Sequence, residues 1–126
     1  MSIRVEGIID LPYFDLRDIH TLQELLMFLK ENELCKELKD YRVFVEGGIL
    51  KLEHSKRSWS YIEISPEGRL VWDEHYRETV EEKDSILGAI REYYPMFKKA
   101  LEIHLQVGGT IRYDRERELI ILEVEE

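Results

Sequence analysis

Residues 42–76 read RVFVEGGILKLEHSKRSWSYIEISPEGRLVWDEHY, and the turns inside this stretch decide the fold. Glu46-Gly47-Gly48-Ile49 predicts a two-residue hairpin, because a type I′ turn needs positive φ at both central positions and glycine supplies it without steric cost. Ser65-Pro66-Glu67-Gly68-Arg69 predicts a three-residue hairpin, with Pro66 at the first corner and Gly68 at the left-handed closing position. With Ser55-Lys56-Arg57 as the middle loop, four consecutive antiparallel strands follow, over 42–46, 49–54, 58–64 and 69–76.

Side chains alternate across a strand. One face therefore collects Val43, Val45, Leu50, Leu52, Ile62, Ile64, Leu70 and Trp72 as a core face. The other carries Arg42, Phe44, Glu46, Ile49, Lys51, Glu53, Trp59, Tyr61, Glu63, Val71, Asp73 and His75. In this register Arg42 lies opposite Glu53, Tyr61 opposite Asp73 and Trp59 opposite His75, with Lys51 beside Phe44 and Tyr61. Cross-strand pairs of this kind contribute about 0.2–1 kcal/mol each. The face is read in three ways: a solvated surface laced with stabilising pairs, a small-molecule site, or an interface. An interface would be anchored by Phe44, Trp59 and Tyr61 and ringed by Lys51, Asp73 and His75, since aromatic residues are enriched in interface cores.

Outside this stretch, 3–9 is rich in β-branched residues and predicts a first strand. A loop over 10–20 follows, broken by Pro12, with Tyr13 and Phe14 placed to cap the core edge. Thr21-Leu22-Gln23-Glu24 is a capping box opening a helix that buries Leu22, Leu25, Leu26 and Leu29 and extends toward Leu34 and Leu38. Thr79-Val80-Glu81-Glu82 is a second capping box, with Asp84 as a competing start. The helix it opens carries a stripe of Ile86, Leu87, Ile90, Tyr94, Phe97, Leu101 and Leu105. Pro95 inside that helix predicts a kink or two shorter helices. Gly108-Gly109 caps it, and a last hairpin spans 110–113 and 118–124. With apolar residues on both faces, the last strand is expected to be central in a sheet or covered by a partner. The order β-α-β-β-β-β-α-β-β predicts one α+β domain over 1–126, an antiparallel sheet with two helices on one face.

The chain has 126 residues, 44% hydrophobic and 36% charged, with a formal net charge of −9. This length buries a core without disulfides. No apolar run is long enough for a membrane span, and the first residues lack the pattern of a secretory signal. A cytoplasmic protein is expected. The acidic balance argues against nucleic-acid and membrane partners, which require clustered Lys and Arg. Lys56-Arg57, the largest basic cluster, is expected at a loop tip. One Asn and two Gln among many ionisable residues form the pattern of thermophile proteins.

No phosphate-binding loop, nucleophile elbow, paired cysteine or zinc-protease motif is present, so no cofactor is expected. Cys35 is read as a small buried hydrophobe on a helix, with no neighbouring base. His20, His54, His75 and His104 are read as structural or exposed. The densest polar cluster is Asp73-Glu74-His75, and with Glu53 it would give at most a two- or three-ligand metal site.

Arg91-Glu92-Tyr93-Tyr94 through Leu101, then Gly108-Gly109-Thr110-Ile111-Arg112, resembles the end of a small uncharacterised protein family of cyanobacteria and chloroplast genomes. The Tyr61–Trp72 hairpin is similar in style to that family's central hairpin. The resemblance covers element order and short patches of residues, and Pro95 and the absence of a double tryptophan after the hairpin depart from it. It implies strand, helix, antiparallel strands, aromatic-rich helix and hairpin, and no activity. The functional expectation is a non-enzymatic association module, a homodimer or a subunit bound to another protein. The alternative is a metal- or ligand-binding enzyme using Asp73, His75 and Glu53.

Overall fold

The structure, a computed structural model, describes residues 4–8 and 18–124. The residues read as capping the core edge, Tyr13 and Phe14, lie outside the described residues. The fold is α+β. Strand β1 (Arg4–Ile8), helix α1 (Asp18–Glu31) and a 3₁₀ turn (Lys36–Asp40) lead into β2 (Tyr41–Glu46), β3 (Ile49–His54), β4 (Tyr61–Ile64) and β5 (Arg69–Asp73). Helix α2 (Arg77–Val107) and a hairpin of β6 (Thr110–Asp114) and β7 (Leu119–Glu123) complete the chain. The first five strands form one antiparallel sheet in the order β1-β5-β4-β3-β2, and β6 and β7 form a separate two-stranded sheet.

The expected register holds within the β2–β3 and β4–β5 hairpins. Strands β3 and β4 pair two residues away from it, with Lys51 opposite Glu63 rather than beside Tyr61, because the middle loop spans 55–60 instead of 55–57. Val43 pairs with Leu52 and Val45 with Leu50, while Ile62 pairs with Trp72 and Ile64 with Leu70. Gly47 and Gly48 both have positive φ, as the type I′ turn requires, and so does Gly68. The Gly68 turn closes with its N–H on the Ser65 carbonyl at 2.9 Å and the Arg69 N–H on Ser65 Oγ at 3.1 Å.

The strand expected to begin at Ser58 begins at Tyr61 instead. Residues 55–60 form a loop because their side chains are claimed by the start of α2. Buried Ser60 shares a 2.7 Å hydroxyl contact with buried Thr79. Arg57 is turned inward onto Glu82 rather than outward at a loop tip. These contacts also displace the second capping box. Thr79 spends its hydroxyl on Ser60, and the N-cap of α2 falls three residues earlier, at Tyr76.

Helix α1 also starts before its expected cap. Asp18 is buried, receives the Tyr94 hydroxyl and lies 3.4 Å from Lys98 Nζ, and the additional turn buries Ile19. At the other end the helix stops short of Leu34. Glu33 adopts φ 55°, and its N–H and that of Leu34 bond back to the Lys30 and Leu29 carbonyls at 3.3 and 2.9 Å. This is a Schellman closure with a non-glycine residue at its left-handed position. Leu38 is still buried, but from the 3₁₀ turn, and Cys35 sits between the two helical segments rather than on a helix.

The core lies between the sheet and the two helices. Leu22, Leu25, Leu26 and Leu29 of α1 meet Leu50, Leu52, Ile62, Ile64 and Leu70 of the sheet and Ile86, Ile90, Tyr94 and Phe97 of α2. Pro95 neither ends nor divides α2, which runs unbroken for 31 residues. At 1.5 Å per residue that is about 46 Å, roughly twice the length of α1. The helix therefore outruns the layer it packs on. Its far end carries the β6–β7 hairpin, which meets α2 and contributes Ile120 to the core. The last strand is consequently an edge of a two-stranded ribbon, not the centre of a sheet.

Candidate protein-interaction surface

The outer face of the five-stranded sheet is occupied mainly by contacts within the chain. Arg42 pairs with Glu53 at 3.2 Å and places its guanidinium 4.5 Å from the centre of the Phe44 ring. Lys51, directly across from Phe44, bonds to Glu46 at 3.2 Å. Tyr61 lies opposite Glu53, and the residue opposite Lys51 on β4 is Glu63. Val71 and Asp73 are buried on this side of β5. Burial and the neighbouring Asp73 charge push the Tyr61 phenol above its ordinary value.

Two of the six expected interface residues do not stand on this face. Trp59 belongs to the 55–60 loop, where its ring lies 5.2 Å from that of Tyr76. His75 follows the end of β5 and meets the other edge of the same stack, 4.6 Å from Tyr76. The Trp59–His75 pairing is thus replaced by a Trp59-Tyr76-His75 stack at the mouth of α2. The physical reason is the Ser60–Thr79 and Arg57–Glu82 contacts, which end the strand pairing three residues early.

The metal-ligand trio does not assemble. Glu53 is engaged by Arg42, and the Asp73 carboxylate accepts the His75 backbone N–H at 2.7 Å. Among the described residues no group of three or more His, Cys, Asp or Glu is placed to hold a metal ion. Cys35, Tyr41 and His54 are each held neutral or engaged. Burial and then Glu37 raise the Cys35 thiol. Burial and then Glu82 raise the Tyr41 hydroxyl far above its ordinary value. His54 Nδ1 accepts the Lys56 and Arg57 backbone N–H groups, both at 3.1 Å.

The surface of the described residues includes the following depressions. One of about 470 Å³ lies on the outer sheet face beside Arg4, Glu63, Arg69 and Val71. A second of similar size follows α1, beside Lys30, Cys35, Lys36 and Lys39. The third, about 340 Å³, separates α1 from the hairpin and is lined by Met27, Phe28, Phe97 and Ile111 between Glu24 and Glu31.

Bare apolar surface is concentrated elsewhere. Of the eight large hydrophobic residues exposed among those described, six lie between residues 96 and 124: Met96, Ile103, Leu105, Val107, Leu119 and Val124. On α2, at 100° per residue, Ile103 and Val107 fall within about 20° of Met96 around the axis, so the three form one stripe. Strand β7 runs alongside that stripe. The Ile120 N–H bonds to Met96 Sδ at 3.1 Å, and Gly109 beyond the helix end lies against Glu123 and Val124 so closely that a Cβ there would sit 2.5 Å from the Glu123 carbonyl. The hairpin's inner face holds Tyr113, whose ring lies 6.1 Å from that of Tyr93; burial and the hydrogen bond to Tyr113 push the Tyr93 hydroxyl up to about 12.

Charge separates this arm from the rest of the chain. Residues 96–124 contain five basic and five acidic side chains, so the remainder carries the whole formal charge of −9. Sequence periodicity placed Leu101 and Leu105 on the same core stripe as Ile86. Leu105 is 76% exposed because neither α1 nor the sheet reaches that far. The available signal was the mismatch between a 31-residue helix and its 14-residue neighbour. No protein-family model, curated protein or solved structure matches the chain. No helix among the described residues is long and apolar enough to cross a membrane.

Proposed function

We propose that the protein is a protein-association module whose docking surface is the arm formed by the second half of α2 and the β6–β7 hairpin. The observation that carries this reading is the concentration of bare apolar side chains on an arm whose charges cancel. Contiguous exposed apolar surface is characteristic of interaction sites. The outer sheet face, read from the sequence as the docking surface, supports association less well. Its charged residues are paired within the chain, and Trp59 and His75 stand elsewhere.

The test is the hydrodynamic size of the protein in two settings: purified, by light scattering, and in an extract of its native host, by gel filtration and immunoblot. The expected result is a size above that of the 15.1 kDa chain in at least one of them. Migration as a single chain in both overturns the reading.

A further inference from the structure

Strand β7 has an edge that no strand occupies among the described residues. In an antiparallel pair, successive residues turn their N–H and C=O groups alternately toward the partner strand and away from it. The Ile120 N–H is spent on the Met96 thioether, a weak acceptor, rather than on β6. Ile120 and Leu122 therefore direct their backbone groups outward, on the side where Met96, Ile103 and Val107 line α2. An edge this apolar, running Leu119-Ile120-Ile121-Leu122, has none of the lysines or prolines that normally block strand addition. A two-stranded ribbon is also marginal by itself.

Resting on the association reading above, we infer that the occupant of this edge is the β7 strand of a second copy, paired antiparallel across a two-fold axis. A two-fold makes an antiparallel edge complementary to itself. With the axis at Ile121, the outward groups of Ile120 meet those of Leu122 in the partner copy, and the reverse. This gives four backbone hydrogen bonds once each Ile120 N–H exchanges the weak Met96 thioether acceptor for a Leu122 carbonyl. Ile121 faces its own counterpart, Leu119 faces Glu123, and no two like charges stand opposite each other. The same operation sets the two β6–β7 ribbons side by side as a four-stranded sheet. Both copies of α2 then lie beneath it, and the Met96-Ile103-Val107 stripes face one another. One symmetry operation thus covers the open edge and the bare helix stripe together. The neutral arm allows this approach, whereas the acidic body would resist it.

Cysteine trapping tests the register. Opposed residues of a non-hydrogen-bonded antiparallel pair have Cα atoms about 4.5 Å apart, within disulfide reach. Ile121→Cys is therefore expected to cross-link to a species of doubled mass under mild oxidation. Leu119→Cys, offset from its counterpart by about 13 Å along the strands, should remain single, as should the unmodified chain with its buried Cys35. A purified dimer in which Ile121→Cys stays reduced overturns the strand pairing while leaving the association reading in place. A purified monomer that migrates as a larger species in the host extract overturns self-pairing and points to a different protein on the arm. A single chain in both settings overturns both.

Discussion

The two halves of α2 are the same helix with opposite surroundings. Before Pro95, Thr79, Lys83, Ile86, Leu87, Ile90 and Tyr94 are buried against the sheet and α1. After it, only Phe97 and Ala100 are buried, and Met96, Ile103, Leu105 and Val107 face outward. Both halves are amphipathic in sequence. The first half is stabilised by its own chain, and the second has apolar residues to spare. Helical periodicity measures the capacity to bury a stripe; it does not say whether the chain supplies anything to bury it against.

The largest expected effect lies in the body. Leu52 is fully buried between sheet and helices, and truncating a leucine in such a place costs about 2–5 kcal/mol through lost transfer energy and the cavity left behind. Leu52→Ala should lower the urea midpoint accordingly. Val107→Ala, at a site 57% exposed, should change it by no more than about 0.5 kcal/mol. Equal losses at both sites would erase the distinction between body and arm.

A smaller effect is expected where the 55–60 loop is fastened to α2. Thr79→Val removes a partner of the buried Ser60 hydroxyl, and a buried polar group left short of its hydrogen bonds costs about 1–3 kcal/mol. Adding Ser60→Ala should restore part of the loss, because the unsatisfied group disappears with it. Additive losses in the double variant would show that the two hydroxyls are not coupled.

These contacts mark how far the sequence could be read. The hairpins at Gly47-Gly48 and Pro66–Gly68 were legible because turn chemistry is local, and they placed β2 against β3 and β4 against β5 in register. The β3–β4 pairing, set by the longer 55–60 loop, was misread by two residues. Trp59 and His75 were misplaced because nothing local reveals that Ser60 and Arg57 bond to residues 19 and 25 positions away. The early start of α1 has the same character, since Asp18 is anchored by Tyr94, 76 positions distant. Of the candidate surface, only Leu105 lay on the stripe read from the sequence, and its exposure was not visible there. Met96, Ile103 and Val107 fall on another face of the helix and were not singled out. Exposure depends on where α1 and the sheet end relative to α2, and Glu33 ends α1 in a left-handed conformation that sequence preference assigns to glycine or asparagine.

Alkaline pH separates the two regions through their tyrosines. Tyr41 in the body and Tyr93 beneath the hairpin both have raised folded-state values, each chiefly by burial. Folding therefore favours their neutral forms. The stability tied to this is fully present below the unfolded value near pH 10 and declines as pH rises, once the unfolded chain ionises and the folded chain does not. For Tyr93 the decline is complete near pH 12; for Tyr41 it continues higher. Tyr41→Phe should flatten the loss of stability above pH 10, followed by urea unfolding at fixed pH, and Tyr93→Phe should flatten only its lower part. An unchanged slope in Tyr41→Phe would remove the linkage.

The smallest expected change in stability should accompany a decisive change in assembly. Ile103 and Val107 are exposed at 41% and 57%, so replacing both with glutamate removes little buried surface and should shift unfolding by less than about 0.5 kcal/mol per site, as surface changes generally do. The same pair of charges would fall on the stripe that a partner must cover, where an unpaired carboxylate is costly to desolvate. Ile103→Glu, Val107→Glu should therefore keep the denaturation profile of a protein reduced to single chains and lose its larger hydrodynamic size. A substitution one layer deeper sharpens the contrast. Leu87→Glu places its charge in the body and should unfold the chain outright. Retention of the larger size by the double variant would mean that the stripe is left bare in the assembled state, and the excess apolar surface of the second half of α2 would then need another explanation than association.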